Sequence, residues 1–327
     1  MNPLRLVCLS ADATLRNVLR EELEPVLLSG AVTLEVADPR SEEVSALLAH
    51  ADGVLCGSLP RDLRQAAPSL RWIQFWSAGV DAQLYPELWD GNAAVCNASG
   101  IHAAACSEHI LALMLAFARN LPGAFRAQQE HDWSARQTLN NSVFELEGKT
   151  VGIVGAGEIG QAIGKRCQAF GMRTIGTRRN PDQPTPGIDV VLSHIQYHDL
   201  VLASNFIVLA LPLTPHTRHT FGEDEIEVLK KGTYLFNIGR GGLVDERYLV
   251  PALQKGWLAG AGLDVFEDEP LPPESPFWNL PNVIVTPHIG GATPLYWPRF
   301  ARLVLRQIQH LLSGEPLENS VDKHLGY

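Results

Sequence analysis

Three side chains of complementary chemistry stand in short glycine- or proline-rich segments: Arg240 in FNIGRGGLVDE, Glu269 in GLDVFEDEPLP and His288 in VIVTPHIGGAT. Together they suit the interconversion of a 2-keto and a 2-hydroxy acid. Reduction puts hydride on carbon and a proton on oxygen, so a group that can be protonated near neutral pH must face the carbonyl, and histidine is the natural choice. A carboxylate on the other ring nitrogen fixes the tautomer and stabilises the imidazolium; Glu269 can do both. Arginine matches a planar carboxylate with two parallel N–H bonds, and its permanent charge stabilises negative charge developing on the keto oxygen. Lysine cannot copy that geometry. Gly239, Gly241 and Gly242 around Arg240 are expected to leave backbone room for cofactor and substrate. Taken singly, each residue also has a structural reading: a solvated arginine in a turn, a glutamate opening a loop before Pro270, one structural histidine among 11.

A hydride needs a carrier, and VGIVGAGEIG supplies the pattern for one. Gly155 permits a tight turn after an apolar strand, Gly157 lets backbone approach a pyrophosphate, and Gly160 lets the following helical run, residues 159–170, pack on the sheet before Gly171 closes it. The helix amino terminus then holds the anion. A bare G-x-G-x-x-G is weak, but here strand, turn, helix and a second strand, MRTIGT, arrive in the order of a βαβ unit. An NAD-type site usually places a carboxylate about 20 positions on, for the ribose 2′-hydroxyl. Thr177, Arg178 and Arg179 stand there instead. Two guanidinium groups suit a 2′-phosphate, so NADP(H) is favoured over NAD(H). The competing reading is a pair of solvated arginines on a loop.

These residues need a scaffold that gathers strand ends. The first hundred residues alternate apolar runs (LRLVCLS, VTLEVAD, GVLCGS, LRWIQFW) with helical segments such as SEEVSALLAH, the signature of an open parallel α/β sheet. A helix over residues 102–119 follows, apolar nearly all round and therefore expected to be buried as a domain connector. From Lys149 the alternation restarts through MRTIGT, NFIVLAL, GTYLFNIG, LAGAGLDVF and NVIVTPH, as a second doubly wound sheet requires. PDQPTPG and EPLPPESP interrupt it as loops. A chain of 327 residues is long for one core, so two domains are expected.

Composition narrows the partners. With 46% hydrophobic and 19% charged residues the profile is globular rather than disordered. The net charge of −10 is spread along the chain and basic residues form no long run, which disfavours nucleic acid. Cys8, Cys56, Cys96, Cys106 and Cys167 show no paired metal spacing or disulfide framework, and a reducing cytoplasm fits best. MNPLRLVCLS reads as a first strand and is too short for a signal peptide core. The longest apolar stretch, residues 110–118, falls short of the roughly 20 residues that cross a bilayer, so no membrane is expected. His194 and His198 share a helical i, i+4 spacing but lack a third ligand, and no catalytic metal is expected. His216 and His219 fall in a polar turn and read as solvent-facing. Cys106 and His109 read as packing or hydrogen-bonding residues of the long helix.

The three chemical segments and the glycine fingerprint, with WIQFWSAGVD (residues 72–81), NASGIHAAACSEH (97–109), LALPLTPHT (209–217) and GEPLENSVD near the end, closely resemble the D-isomer-specific 2-hydroxyacid dehydrogenase family over nearly the whole chain. The resemblance implies that Arg240 binds the substrate carboxylate and keto oxygen, that His288 is the acid/base, and that Glu269 pairs with it. It places Asp264 near the nicotinamide carboxamide, and Ser77, Ala78 and Gly79 as backbone donors to the carboxylate. Around the cofactor it adds Glu158 and Ile159 of the glycine turn, Leu211, Pro212 and Thr217, and Ile238 and Gly239. It implies two doubly wound parallel-sheet domains with the site in a cleft between them. One is a flavodoxin-like substrate domain of residues 1–100 plus 293–327, and the other a Rossmann cofactor domain of 101–292. A homodimer is the implied assembly. Glyoxylate or hydroxypyruvate reduction, or broader 2-keto acid reduction, leads. Phosphoglycerate oxidation is disfavoured without an appended regulatory domain, and formate oxidation by the Glu269 and His288 pair. The alternative from another class is a nucleotide-sensing, corepressor-like binding protein of the same fold. Trp72, Phe75 and Trp76 are expected to be half core and half pocket wall, with core the weightier reading of an aromatic cluster, and Phe75 and Trp76, just before Ser77, are placed to limit substrate side-chain size. Trp297 is left open between pocket cap, subunit contact and packing.

Overall fold

A computed structural model describes residues 3–89, 92–323 and 325–326. Contacts divide the chain into two compact units, Met1–Ile101 with Thr293–Tyr327, and His102–Ala292. Met1 and Asn2 of the expected first strand lie outside the described residues.

In the first unit, β1 (Leu4–Leu9), β2 (Val32–Ala37), β3 (Gly53–Cys56), β4 (Trp72–Phe75) and β5 (Ala94–Cys96) form a parallel sheet in the order β2-β1-β3-β4-β5. All residues of β3 and β4 are buried, which is why they read as unbroken apolar runs: a parallel sheet has both faces covered. Helices α1 (Ala13–Leu28), α2 (Val44–Leu48) and α3 (Arg61–Gln65) connect the strands. Asp12 starts α1 by accepting the Thr14 amide at 2.7 Å, and Leu15, Leu19 and Leu23 line its buried face at i, i+4 and i+8.

In the second unit, β6 (Thr150–Val154), β7 (Arg173–Arg178), β8 (Val190–Ser193), β9 (Phe206–Leu209), β10 (Tyr234–Asn237), β11 (Gly260–Leu263) and β12 (Val283–Val285) form a parallel sheet in the order β12-β11-β10-β9-β6-β7-β8. Its helices are α4 (Ala103–Ala118), α5 (Leu121–Gln129), α6 (Arg136–Asn140), α7 (Glu158–Ala169), α8 (Tyr197–Ala203), α9 (Glu223–Val228) and α10 (Glu246–Gln254). Strand order reverses between β6 and β9, so the loops after these two strands diverge and leave a crevice at their carboxyl ends. Both sheets are the doubly wound type that the apolar alternation predicts. The short strands β5 and β8 escape that reading, being three and four residues long with β8 at a sheet edge.

Helix α4 is less uniformly buried than expected. Ile110, Leu113 and Met114 enter the core, whereas Glu108 and Ala112 are exposed. Among the described residues no single helix is long and apolar enough to cross a membrane; α4 and α5 reach the length only as a pair bent by 67°.

The chain returns to the first unit through α11 (Tyr296–Ser313), whose Phe300, Leu303, Val304 and Ile308 join Leu15, Leu19 and Leu23 of α1 in one core. Fully buried Gln74 of β4 fixes the return. Its amide donates to the carbonyls of Phe75 and Asn97 at 2.9 and 2.8 Å, and its oxygen accepts from Gln307 at 3.1 Å. Gln307 in turn exchanges two 2.8 Å bonds with the backbone of Glu318. All five cysteines are free and buried, and burial pushes the Cys106 thiol up to about 11.

Candidate active site

The loop after β6 is built by glycines that do different things. Gly155 takes φ +99°, where an L side chain is strained, and its amide donates to Thr177 Oγ1 at 3.3 Å. A Cβ at Gly160 would lie 2.3 Å from the Gly155 carbonyl oxygen, so the first turn of α7 presses directly on the loop. At Gly157, the residue that opens α7, a Cβ would meet nothing within 4 Å. That open space above a helix amino terminus is a cradle for an anion, and Glu158 and Ile159 begin the helix behind it. The pair of substitutions separates fold from binding. Gly157→Ala is expected to lower the melting temperature only slightly, since the new Cβ meets nothing and alanine is poorer than glycine at a helix N-cap by about 0.5–1 kcal/mol. It should weaken dinucleotide binding about tenfold or more, a loss of about 1.4 kcal/mol. Gly160→Ala should damage both, as read by thermal melting and nucleotide fluorescence titration.

At the end of β7, Thr177 is buried, Arg178 half-buried and Arg179 exposed. Arg178 Nη1 reaches the Pro184 carbonyl and Thr185 Oγ1, both at 3.3 Å, so the 181–187 loop steadies the guanidinium. After β9, Thr217 closes the turn that carries Leu211 and Pro212: its hydroxyl donates to the Pro212 carbonyl at 2.7 Å and accepts the Thr214 amide at 2.8 Å.

Arg240 follows β10. The buried Asn237 side chain accepts the Gly239 amide at 3.1 Å and donates to the Arg240 carbonyl at 2.8 Å, a clamp that shapes residues 237–240, while Ile238 is buried. Arg240 Nη1 donates to the Gly239 carbonyl at 3.0 Å. The flanking glycines do not leave the room expected of them. A Cβ at Gly239 would come within 2.7 Å of the Leu211 carbonyl oxygen, one at Gly241 within 1.8 Å of the Phe266 carbonyl, and one at Gly242 within 3.2 Å of Arg218 and Leu213. They are small because the protein's own chain fills the space, and Gly241 thereby seats the Arg240 loop on the 266–269 loop.

That second loop carries Glu269. One carboxylate oxygen accepts the Phe266 amide at 3.0 Å and the other meets His288 Nδ1 at 2.7 Å. The His288 side chain is 51% exposed and Glu269 35% exposed, so the ring is tied down yet reachable. His288 adopts φ +53°, a left-handed conformation that costs a residue with a Cβ about 1–2 kcal/mol. The cost is met by Asp264, at the end of β11. Its carbonyl accepts the His288 amide at 2.9 Å, and its carboxylate accepts the Ile289 and Gly290 amides at 2.9 and 2.8 Å and the Thr286 hydroxyl at 2.6 Å. Both carboxylate oxygens of Asp264, only 2% exposed, are thus engaged by the loop that presents His288, whereas the resemblance gives Asp264 to the nicotinamide carboxamide.

Other expectations change. His219 is not simply solvent-facing: Nε2 pairs with Glu267 at 2.5 Å and Nδ1 lies 3.7 Å from buried Asp245, while His216 is exposed. Phe75 is fully buried and belongs to the core alone. Trp76 is half-buried, edge-on to Trp297 and Phe300, and its carbonyl accepts the Tyr296 hydroxyl at 2.7 Å. Trp297 therefore packs within the first unit, its indole donating to Asp12 at 3.1 Å. Ser77, Ala78 and Gly79 form a half-buried bend after β4, anchored by the Ala98 amide on the Ser77 carbonyl at 2.9 Å. The sequence reading missed Asn237 and Thr286 altogether. A polar residue ending the apolar run TYLFN is the signal that could have found Asn237.

A family model for the NAD-binding domain of D-isomer specific 2-hydroxyacid dehydrogenases matches residues 111–290. The chain is 35% identical over 285 residues to a glyoxylate reductase of Thermococcus litoralis, covering 86% of this chain and 84% of that one. It is 36% identical over 285 residues to a D-3-phosphoglycerate dehydrogenase of Methanocaldococcus jannaschii, 86% of this chain but only 53% of that enzyme, so the chain spans about half the length of this relative. Among solved structures, the NADPH-dependent glyoxylate/hydroxypyruvate reductase of Sinorhizobium meliloti, in complex with NADP and sulfate, superposes with a TM-score of 0.81 at 30% identity and 99% coverage of both chains.

Proposed function

The chain belongs to the D-isomer specific 2-hydroxyacid dehydrogenase family of oxidoreductases, and from that premise we propose that it reduces a small 2-keto acid, glyoxylate or hydroxypyruvate foremost, with NADPH preferred over NADH. The observation that carries this reading is the 2.7 Å bond between Glu269 and His288 Nδ1, on a loop that abuts the one bearing Arg240.

When bound, the nicotinamide supplies hydride to the keto carbon. The protein supplies the rest. Arg240 binds the carboxylate and stabilises negative charge on the keto oxygen. Glu269 occupies His288 Nδ1, which leaves Nε2 as the atom that delivers a proton to that oxygen, and the carboxylate stabilises the imidazolium that does so. Ser77, Ala78 and Gly79 offer backbone N–H groups to the substrate carboxylate. The Gly157 cradle, with Leu211, Pro212 and Thr217, receives the dinucleotide. Arg178 and Arg179 suit a 2′-phosphate, and no carboxylate stands at the end of β7 to prefer the hydroxyl. We include in the proposal a homodimer, which the family resemblance implies, and a cytoplasmic location, which five free thiols fit.

The test is a panel of 2-keto acids assayed with NADH and NADPH in parallel. Turnover of glyoxylate or hydroxypyruvate with a higher kcat/KM for NADPH is expected. Replacing Arg178 and Arg179 by serine should lower kcat/KM for NADPH by about tenfold or more, on the scale of a lost charge-assisted hydrogen bond, while sparing NADH. Nucleotide binding without turnover of any acid would instead favour the nucleotide-sensing reading, and equal use of both cofactors would overturn the arginine assignment.

A further inference from the structure

We propose that His109, on α4, is a positioning residue for His288: its Nε2–H, relayed through Thr286 and Asp264, fixes the backbone that presents the histidine. The inference rests on the role proposed for His288.

The proton inventory of the network decides its direction. Thr286 Oγ1 lies 2.6 Å from Asp264 Oδ1 and 3.0 Å from His109 Nε2. An ionised carboxylate only accepts, and a hydroxyl has one hydrogen. That hydrogen is committed to Asp264, so toward His109 the hydroxyl presents a lone pair. Nε2 of His109 must therefore carry a proton, and the opposite neutral tautomer would set two lone pairs against each other.

The chain of bonds ends at the acid/base residue. The carboxylate that Thr286 orients also takes the Ile289 and Gly290 amides at 2.9 and 2.8 Å, and the His288 amide bonds to the Asp264 and Thr286 carbonyls at 2.9 and 3.0 Å. Residues on both sides of His288 are thus fastened to Asp264, which is how it holds φ +53°. The seat is tight as well as bonded: a Cβ at Gly290 would lie 2.2 Å from Ile238, 2.8 Å from Asp264 and 3.3 Å from His109. The His109 side chain is 17% exposed, enough enclosure for the lost donor to be felt. About two turns earlier, His102 at the amino-terminal cap of the same helix meets the Gly291 carbonyl at 3.3 Å, so the loop leans on α4 at two points. Among the described residues the polar partners of His109 are Thr286 and, at 3.6 Å, Asp264, so it acts through His288 rather than on the reactants.

Four single variants and one double test this with glyoxylate and NADPH as probes. His109→Gln places an amide donor near Nε2 and is expected to keep kcat within about threefold of native. His109→Asn is polar but too short, and His109→Leu cannot donate; both should lower kcat about tenfold or more, the scale of a small misplacement at a reacting centre. NADPH affinity by fluorescence titration should move less than about twofold. In a His288→Asn background, His109→Leu should cost less than about twofold, because its effect is spent through a residue already gone. A glutamine variant as slow as the asparagine one, or the same fold-loss with and without His288, would overturn the proposal. If His288→Asn itself keeps native activity, the reading of His288 fails instead, and the two failures are told apart by that variant alone.

Discussion

Exchanging His288 for asparagine is expected to lower kcat/KM for 2-keto acid reduction by about 10²-fold or more, the scale of a lost general acid, with little change in melting temperature. Asparagine is the informative replacement because His288 stands at φ +53°. Among residues with a side chain, asparagine tolerates that region best, so the backbone stays and the titrating ring goes. Alanine would add strain to the loss. Glu269→Gln is the companion. The two carboxylate oxygens each accept a bond, one from the Phe266 amide at 3.0 Å and one from His288 at 2.7 Å. A glutamine has a single acceptor oxygen, so either one bond fails or its NH2 donates to a neutral Nδ1, and in both cases the charge that stabilises the imidazolium is gone. The loss of a charged partner is worth about 1.5–3 kcal/mol, a drop of roughly 10- to 150-fold. Steady-state kinetics on the purified variants decides: native-like rates for His288→Asn would remove it from the chemistry.

Gly241→Ala is the second large effect, and it arises without touching a reacting group. The new Cβ would lie 1.8 Å from the Phe266 carbonyl and 2.4 Å from the Glu267 amide. Both are backbone, so neither can rotate aside, and the loops bearing Arg240 and Glu269 must move apart. A displacement of about 1 Å in a catalytic group can cost about 10²-fold, and a comparable fall in kcat/KM is expected. Nucleotide affinity should fall less than kcat/KM, because the Gly157 turn follows β6, which β9 separates from β10 in the sheet. A variant with native kcat/KM would mean that the two loops tolerate separation, and with it that their apposition is not what assembles the site.

The local parts of this architecture were legible in the sequence. The glycine turn was readable because strand, turn and helix are consecutive and each glycine answers a steric demand only a few residues away, as Gly160 does against Gly155. Arg240, Glu269 and His288 stood out by chemistry and segment, and Glu269 does pair with His288. What could not be read is what long-range packing decides. Gly239, Gly241 and Gly242 suggested empty space, and only the fold shows the Leu211 and Phe266 backbone filling it. Asp264 looked like a contact for the nicotinamide alone, and nothing in the sequence hinted that its carboxylate also binds amides 25 and 26 residues away. His219 in a polar turn gave no hint of Glu267, 48 residues on. Phe75 could be read as part of the core, but not as wholly core with no share in a pocket wall, since strand burial on both faces depends on which helices cover them.

The Gln74, Gln307 and Glu318 network has a bearing on how the polypeptide matures during synthesis. The second unit is one continuous stretch, so it can complete its core while the remaining residues are still being translated. The first unit cannot. Its earliest strands emerge first, but the side-chain oxygen of Gln74 waits inside the sheet for a donor on α11 and, through it, for a segment more than 240 residues downstream. Until that segment leaves the ribosome, the face of β1, β3 and α1 that α11 will cover stays open to water, so of the two units the one that begins earlier completes its core later.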